Sequence, residues 1–158
     1  MDSSNLLEKI LRSVFGREKN RVFKTALELN RRADEAISAC DSAIRIIKSI
    51  SRQYPVDYQD KEPISWKNSK RVIALHADGY CDFFTEVKNI MEDAKREFEL
   101  SRRFSDHFYE KCRYIDRQLF DEMYLVRAEE LSADIALIVH FTYYYQEGYE
   151  AAHPEKEE

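Results

Sequence analysis

Apolar residues follow an unbroken four-three spacing through Val22, Ala26, Leu29, Ala33, Ala36, Cys40, Ala43, Ile47 and Ile50. That period puts all nine on one stripe and predicts a helix over residues 20–54, gently supercoiled with a neighbour. Five of the nine are Ala or Cys, so a facing helix can approach closely. Pro55 ends the run, because proline cannot supply the next backbone donor. A second seam runs through Ile73, Ala77, Tyr80, Phe84, Val87, Met91, Ala94 and Phe98. It is large where the first is small, which is how two helices interdigitate at native density. The two predicted helices, 20–54 and 67–100, match in length as an antiparallel hairpin requires.

The same register continues through Ser101, Ser105, Phe108, Cys112, Ile115 and Leu119. Two serines in succession at seam positions predict a turn near 101–106. The alternative, one helix from 67 to 120, would be roughly 80 Å long and would need a partner chain to cover it. From Asp106 to about Tyr149 the pattern is helical, with a kink near Ser132. Within it, "IALIVHFTYYY" has high β-propensity, but no other segment alternates in strand fashion to pair with it. It therefore reads as a buried helix.

Ahead of these helices, Leu6, Leu7, Ile10, Leu11, Val14 and Phe15 predict a short amphipathic helix. One of Asp2, Ser3 or Ser4 caps it, and Gly16 closes it. Asn20 is then the expected cap of the next helix. Residues 55–66 carry two prolines and no period, and form the one long connection. The expected architecture is all-α: an antiparallel bundle of about four long helices with a short N-terminal helix. It makes a single domain over 1–150, followed by a disordered acidic tail over 151–158.

Composition sharpens this picture. Three glycines and three prolines in 158 residues are too few for the turns of a sheet protein. The net charge of −5 argues against a surface that binds nucleic acid throughout. Charge is uneven: residues 1–54 hold eleven basic and seven acidic side chains (+4), residues 128–158 one basic and eight acidic (−7). This asymmetry suits contact between the two ends or a solvated surface. Cys40, Cys81 and Cys112 lack any CxxC pairing and read as reduced thiols in a cytoplasmic protein. The first fifteen residues do not read as a signal peptide, and the longest apolar run, Ile135 to Val139, is too short to span a bilayer.

Candidate chemistry is sparse. "RRFSDH" places Arg102 and His107 five positions apart, with four residues between them. This is similar to the Arg-x4–6-His signature of the HEPN ribonucleases, small helical proteins whose dimers bring two such motifs together around RNA. The resemblance covers that motif and the helical character only. It implies that Arg102 and His107 bind the scissile phosphate and assist proton transfer. A turn between them would help, since five positions on an unbroken helix point about 140° apart. "RVIALH" supplies a second match, Arg71 and His76, with Val72 where that family usually has a polar residue. Fourteen arginines and four histidines give about one such match by chance.

Asp78, Asp82, Glu86 and Asp93 line the face of the third helix opposite its seam. Oxygen ligands at such spacing can hold Mg²⁺, but a helical metal-dependent pyrophosphatase needs paired ExxE and ExxD motifs. In "EELSAD", Glu130 and Asp134 stand one residue too far apart. Di-iron bundles need two Glu-x-x-His motifs, and only Glu150 with His153 fits. The acidic face reads as solvated surface, with no metal and no cofactor expected. Arg17, Arg21, Lys24, Arg31 and Arg32 form a basic stripe that Glu28 and Glu35 neutralise at helical spacing.

Eleven of the twenty aromatics fall in residues 104–149. Phe104, Phe108, Tyr114, Phe120 and Tyr124 are assigned to the core, and His140 reads as a packed histidine. Tyr143, Tyr144, Tyr145 and Tyr149 are the expected interface, since tyrosine is enriched in protein contacts and the adjacent Glu147 and Glu150 repel phosphate. The reading is a non-catalytic interaction or assembly module that self-associates or docks a protein. The alternative is an RNA-binding or RNA-cleaving dimer using Arg102 and His107.

Overall fold

The computed structural model describes residues 17–54 and 69–154, with side chains from Ala26 onward in the first helix. The expected amphipathic helix at 6–15, the linker at 55–66 and residues 155–158 lie outside the described residues. Every regular element described is helical. Helix α1 spans Arg17–Gln53, α2 Ser69–Leu75, α3 Ala77–Ser101, α4 Asp106–Asp121, α5 Met123–Arg127 and α6 Ser132–Ala152, with one 3₁₀ turn at Glu129–Leu131. Asn20 lies inside α1 and is not its cap.

Both seams are interior. From Ala26 to Ile50 in α1, and from Ile73 to Phe98 in α2 and α3, every seam position is buried. Phe108, Cys112, Ile115 and Leu119 extend the core into α4. Each large side chain of this kind contributes about 1.5–3 kcal/mol by leaving water. Ion pairs flank the seams: Asp34 meets Lys95 at 2.7 Å and Asp41 meets Lys88 at 2.9 Å. Residue numbers thus fall along α1 as they rise along α3. Helix α4 lies against α3 through Phe83 and Tyr114, and against α6 through Asp116 and Thr142. Arg32 of α1 over the ring of Tyr144 links α6 back to α1.

The turn expected near 101–106 is present. Arg102 adopts a left-handed conformation (φ 58°) and its N–H donates to the carbonyl of Phe98 at 2.9 Å. Ser105 then caps α4, its Oγ accepting from the N–H of Phe108 at 3.1 Å. "IALIVHFTYYY" is helical and buries Ile135, Ile138, Val139, Phe141, Thr142 and Tyr145. Two expectations need correction. The helix expected over 67–100 is interrupted at His76, between α2 and α3. The segment from 106 to 149 breaks at Glu122 and again over 128–131, just ahead of the kink expected at Ser132. Helix α6 includes Ala151 and Ala152, the first two residues of the segment expected to be a tail.

Candidate functional site

The turn between α3 and α4 separates Arg102 from His107, and both are exposed. Nη1 of Arg102 lies 3.4 Å from the carbonyl of Phe98. Between the two, Asp106 accepts the phenol proton of Tyr149. The second Arg-x4-His match is also at the surface: His76 sits at the α2–α3 break, edge-on to Tyr80 at 6.1 Å.

The four tyrosines of α6 part company. Tyr145 is fully buried, and its phenol oxygen accepts the N–H of Ser105 at 2.5 Å. Burial drives its pKa up. Tyr149 is buried and stacked between Tyr109 (3.9 Å) and His153 (4.1 Å). Tyr144 is half-buried beneath Arg32, whose Cζ stands 4.5 Å from the ring centroid. Only Tyr143 of the four is exposed. Hydrogen bonds from Arg31 and Arg32 hold the Glu28 carboxyl down to about 2, so the basic stripe is neutralised where its side chains are described. His140, read as a packed histidine, is exposed, as are Tyr114 and Phe120, which were assigned to the core.

The acidic face of α3 is shared out among cations. Glu86 meets Lys111 at 3.9 Å and Asp93 meets Arg96 at 3.0 Å. Asp78 and Asp82 line a shallow surface groove together with Lys48 and Arg52. Among the described residues no three potential ligands cluster in a way that could hold a metal ion. The three cysteines are free thiols. Burial pushes the Cys40 thiol up to about 12 and raises that of Cys112 as well, so neither is a ready nucleophile.

One concave site was not legible in the chain. A groove of about 410 Å³ lies between α3 and the C-terminal half of α4, with α5 at one end. His76, Gly79, Tyr80 and Phe83 form one wall, Tyr114, Gln118 and Glu122 the other, and Tyr124 and Leu125 close it. These positions recur at three- and four-residue steps, so each helix offers one face. The walls are tied together: the Tyr80 hydroxyl donates to Oε2 of Glu122 at 3.3 Å, and Phe83 meets Tyr114 edge-on at 6.2 Å. Burial, then the charge of Glu122, pushes the Tyr80 phenol pKa up.

Gly79 is the telling member. A Cβ built there would meet nothing within 4 Å. A glycine inside a helix costs about 0.5–1 kcal/mol relative to alanine, and here no internal packing explains it. The missing side chain leaves the groove open against the α3 backbone. Ring faces beside a single carboxylate suit an apolar or cationic side chain more than a reaction centre. The sequence hints were Gly79 in a seam-bearing helix and Tyr80 next to it. Recognising them as a wall required the break at Glu122, which brings Tyr124 and Leu125 round.

No helix among the described residues is long and apolar enough to cross a membrane. Compared with protein-family models, with curated proteins and with solved structures, the chain matches none.

Proposed function

We propose that this chain is a non-catalytic helical-bundle module that docks a protein through the groove between α3 and α4. In this reading α1, α3, α4 and α6 form an antiparallel bundle, a stiff frame that holds the two walls apart. The observation that carries it is Gly79, which leaves open space in an aromatic groove at a cost to its own helix. Leu75, Met123 and Val126, exposed apolar residues of the elements beside the groove, add to the same end of the molecule. Three free thiols fit a reducing, cytoplasmic setting. A self-associating chain would use the same groove for a second copy of itself.

The test is capture of partners by the wild type and by Gly79→Leu, with light scattering on both. A leucine would fill the groove without disturbing a packed neighbour. Partners, or a dimer, held by the wild type and lost from Gly79→Leu are expected. Identical binding and identical mass for both proteins would end the reading.

A second reading has one observation in its favour. The left-handed turn at Arg102 interrupts the helix between Arg102 and His107, which would help a joint phosphate site at those residues. An RNA-cleaving role predicts that pure protein cuts RNA and that His107→Ala does not. Cleavage unchanged by that substitution, or absent from the wild type, rules it out.

A further inference from the structure

The groove is one-sided in charge. Among the described residues Glu122 is the only carboxylate in its walls, and no lysine or arginine lines it. One oxygen of Glu122 accepts the Tyr80 hydroxyl, and among the described residues no cation pairs with the carboxylate. Carboxylates of this surface can hold a cation: Glu86, Asp93, Asp34, Asp41 and Glu130 each have one within 4 Å. Tyr80, Phe83, Tyr114 and Tyr124 line the groove with Glu122, and the open backbone at Gly79 gives access. Tyr114 already shows what such a ring attracts. The ammonium of Lys111 stands 5.1 Å from its centroid, held from behind by Glu86.

A planar guanidinium fits this combination better than other side chains. It stacks on aromatic faces, carries its charge at any working pH, and donates two parallel hydrogen bonds to a carboxylate. At Gly79 a Cβ would meet nothing within 4 Å, so a peptide backbone can approach α3 there. We propose that the α3–α4 groove receives an arginine side chain from a basic segment of a partner protein, with Glu122 as its counter-ion and the groove's aromatic rings as its walls. This rests on the docking reading above and gives it a ligand chemistry.

The test is an NMR titration of ¹⁵N-labelled full-length protein with an octapeptide of alternating arginine and glycine. The same peptide with citrulline in place of arginine is the neutral control of nearly equal shape. The chain has only three glycines, Gly16, Gly79 and Gly148, so the Gly79 amide is easily followed. The arginine peptide should move the Gly79 signal and leave Gly148 in place, and the citrulline peptide should bind at least tenfold more weakly. Glu122→Gln keeps an acceptor for Tyr80 and should weaken arginine binding about tenfold, equivalent to about 1.4 kcal/mol. Gly79→Leu should do the same by occlusion. Glu147→Gln, an exposed carboxylate change on α6, should leave binding within about twofold, as a remote surface charge is screened.

Equal affinity for the two peptides, wild-type affinity in Glu122→Gln, or no shift of Gly79 by either peptide at millimolar concentration would each overturn the proposal. If Gly79→Leu weakens both peptides alike while Glu122→Gln weakens neither, the groove docks a peptide but not through a cation. That result overturns the arginine assignment and leaves the docking reading standing.

Discussion

A methyl group added to Gly148 would lie 2.6 Å from Cζ of Phe104, whose ring sits edge-on to Phe98 and Tyr145 at 5.0 and 5.1 Å. The two helical glycines therefore exist for opposite reasons, one for contact and one for vacancy. Gly148→Ala should gain about 1 kcal/mol of helix propensity but lose about 1–3 kcal/mol by overpacking, a net destabilisation of about 1 kcal/mol in urea unfolding. Phe104→Leu in the same protein should restore part of it. A stabilised Gly148→Ala would show that the ring gives way freely. Asp116 sets a pH dependence. It accepts from Thr142 at 2.7 Å and from Gln146 at 3.3 Å, yet burial raises its pKa against the pull of those bonds. The fold then holds the Asp116 proton more tightly than the unfolded chain does. The site supports folding most below the ordinary carboxylate range, and that support is lost as pH rises through the raised folded-state value. Asp116→Asn cannot ionise, so its stability relative to the wild type should climb as the pH rises from below the ordinary carboxylate range to above it. A difference between the two urea midpoints that stays flat with pH would contradict this.

At the scale of elements, the seams were legible because four-three spacing maps directly onto one helix face, and each described seam position except Ser101 is buried. The turn at 101–106 was legible through its serines, although the residue that bends the chain is Arg102, which no sequence rule singles out. A left-handed backbone costs a residue with a Cβ about 1 kcal/mol, and the Arg102 guanidinium returns only a long 3.4 Å contact to Phe98. Arg102→Gly should therefore raise the thermal midpoint by about 2–4 °C, and an unchanged or lowered midpoint would mean the arginine contributes more than that contact. The breaks at His76 and Glu122 were not legible, since neither carries Pro or Gly. For Glu122 the physical reason lies downstream. Continuing the α4 register would put Glu122 and Val126 on the core face, whereas the structure buries Leu125, Ala128 and Leu131. The chain has to turn to bring those three inward, and that turn places Tyr124 at the end of the groove.

At the scale of the molecule, the two candidate sites stand apart. The groove lies at the N-terminal end of α3 and the Arg102–His107 turn just beyond its C-terminal end, roughly 35 Å away along a helix rising 1.5 Å per residue. Each reading can be tested without touching the other. Two of the α1 carboxylates, Asp34 and Asp41, pair with lysines of α3. Among the described ion pairs none joins a side chain of residues 26–54 to one of residues 128–154. Of the four tyrosines expected at an interface, Tyr145 and Tyr149 are buried, Tyr144 is half-buried and Tyr143 is exposed. The groove was invisible in the sequence because its walls and its closing end come from three elements that no local pattern connects.

The most direct test of this account is site-specific photo-crosslinking in living cells. A benzophenone-bearing amino acid would replace Tyr114 in the groove wall or, in a separate protein, the exposed Tyr143 of α6. A discrete protein adduct from position 114, absent from position 143, is the expected result. An adduct from position 143 with none from 114 would place the binding surface on α6 and contradict the groove.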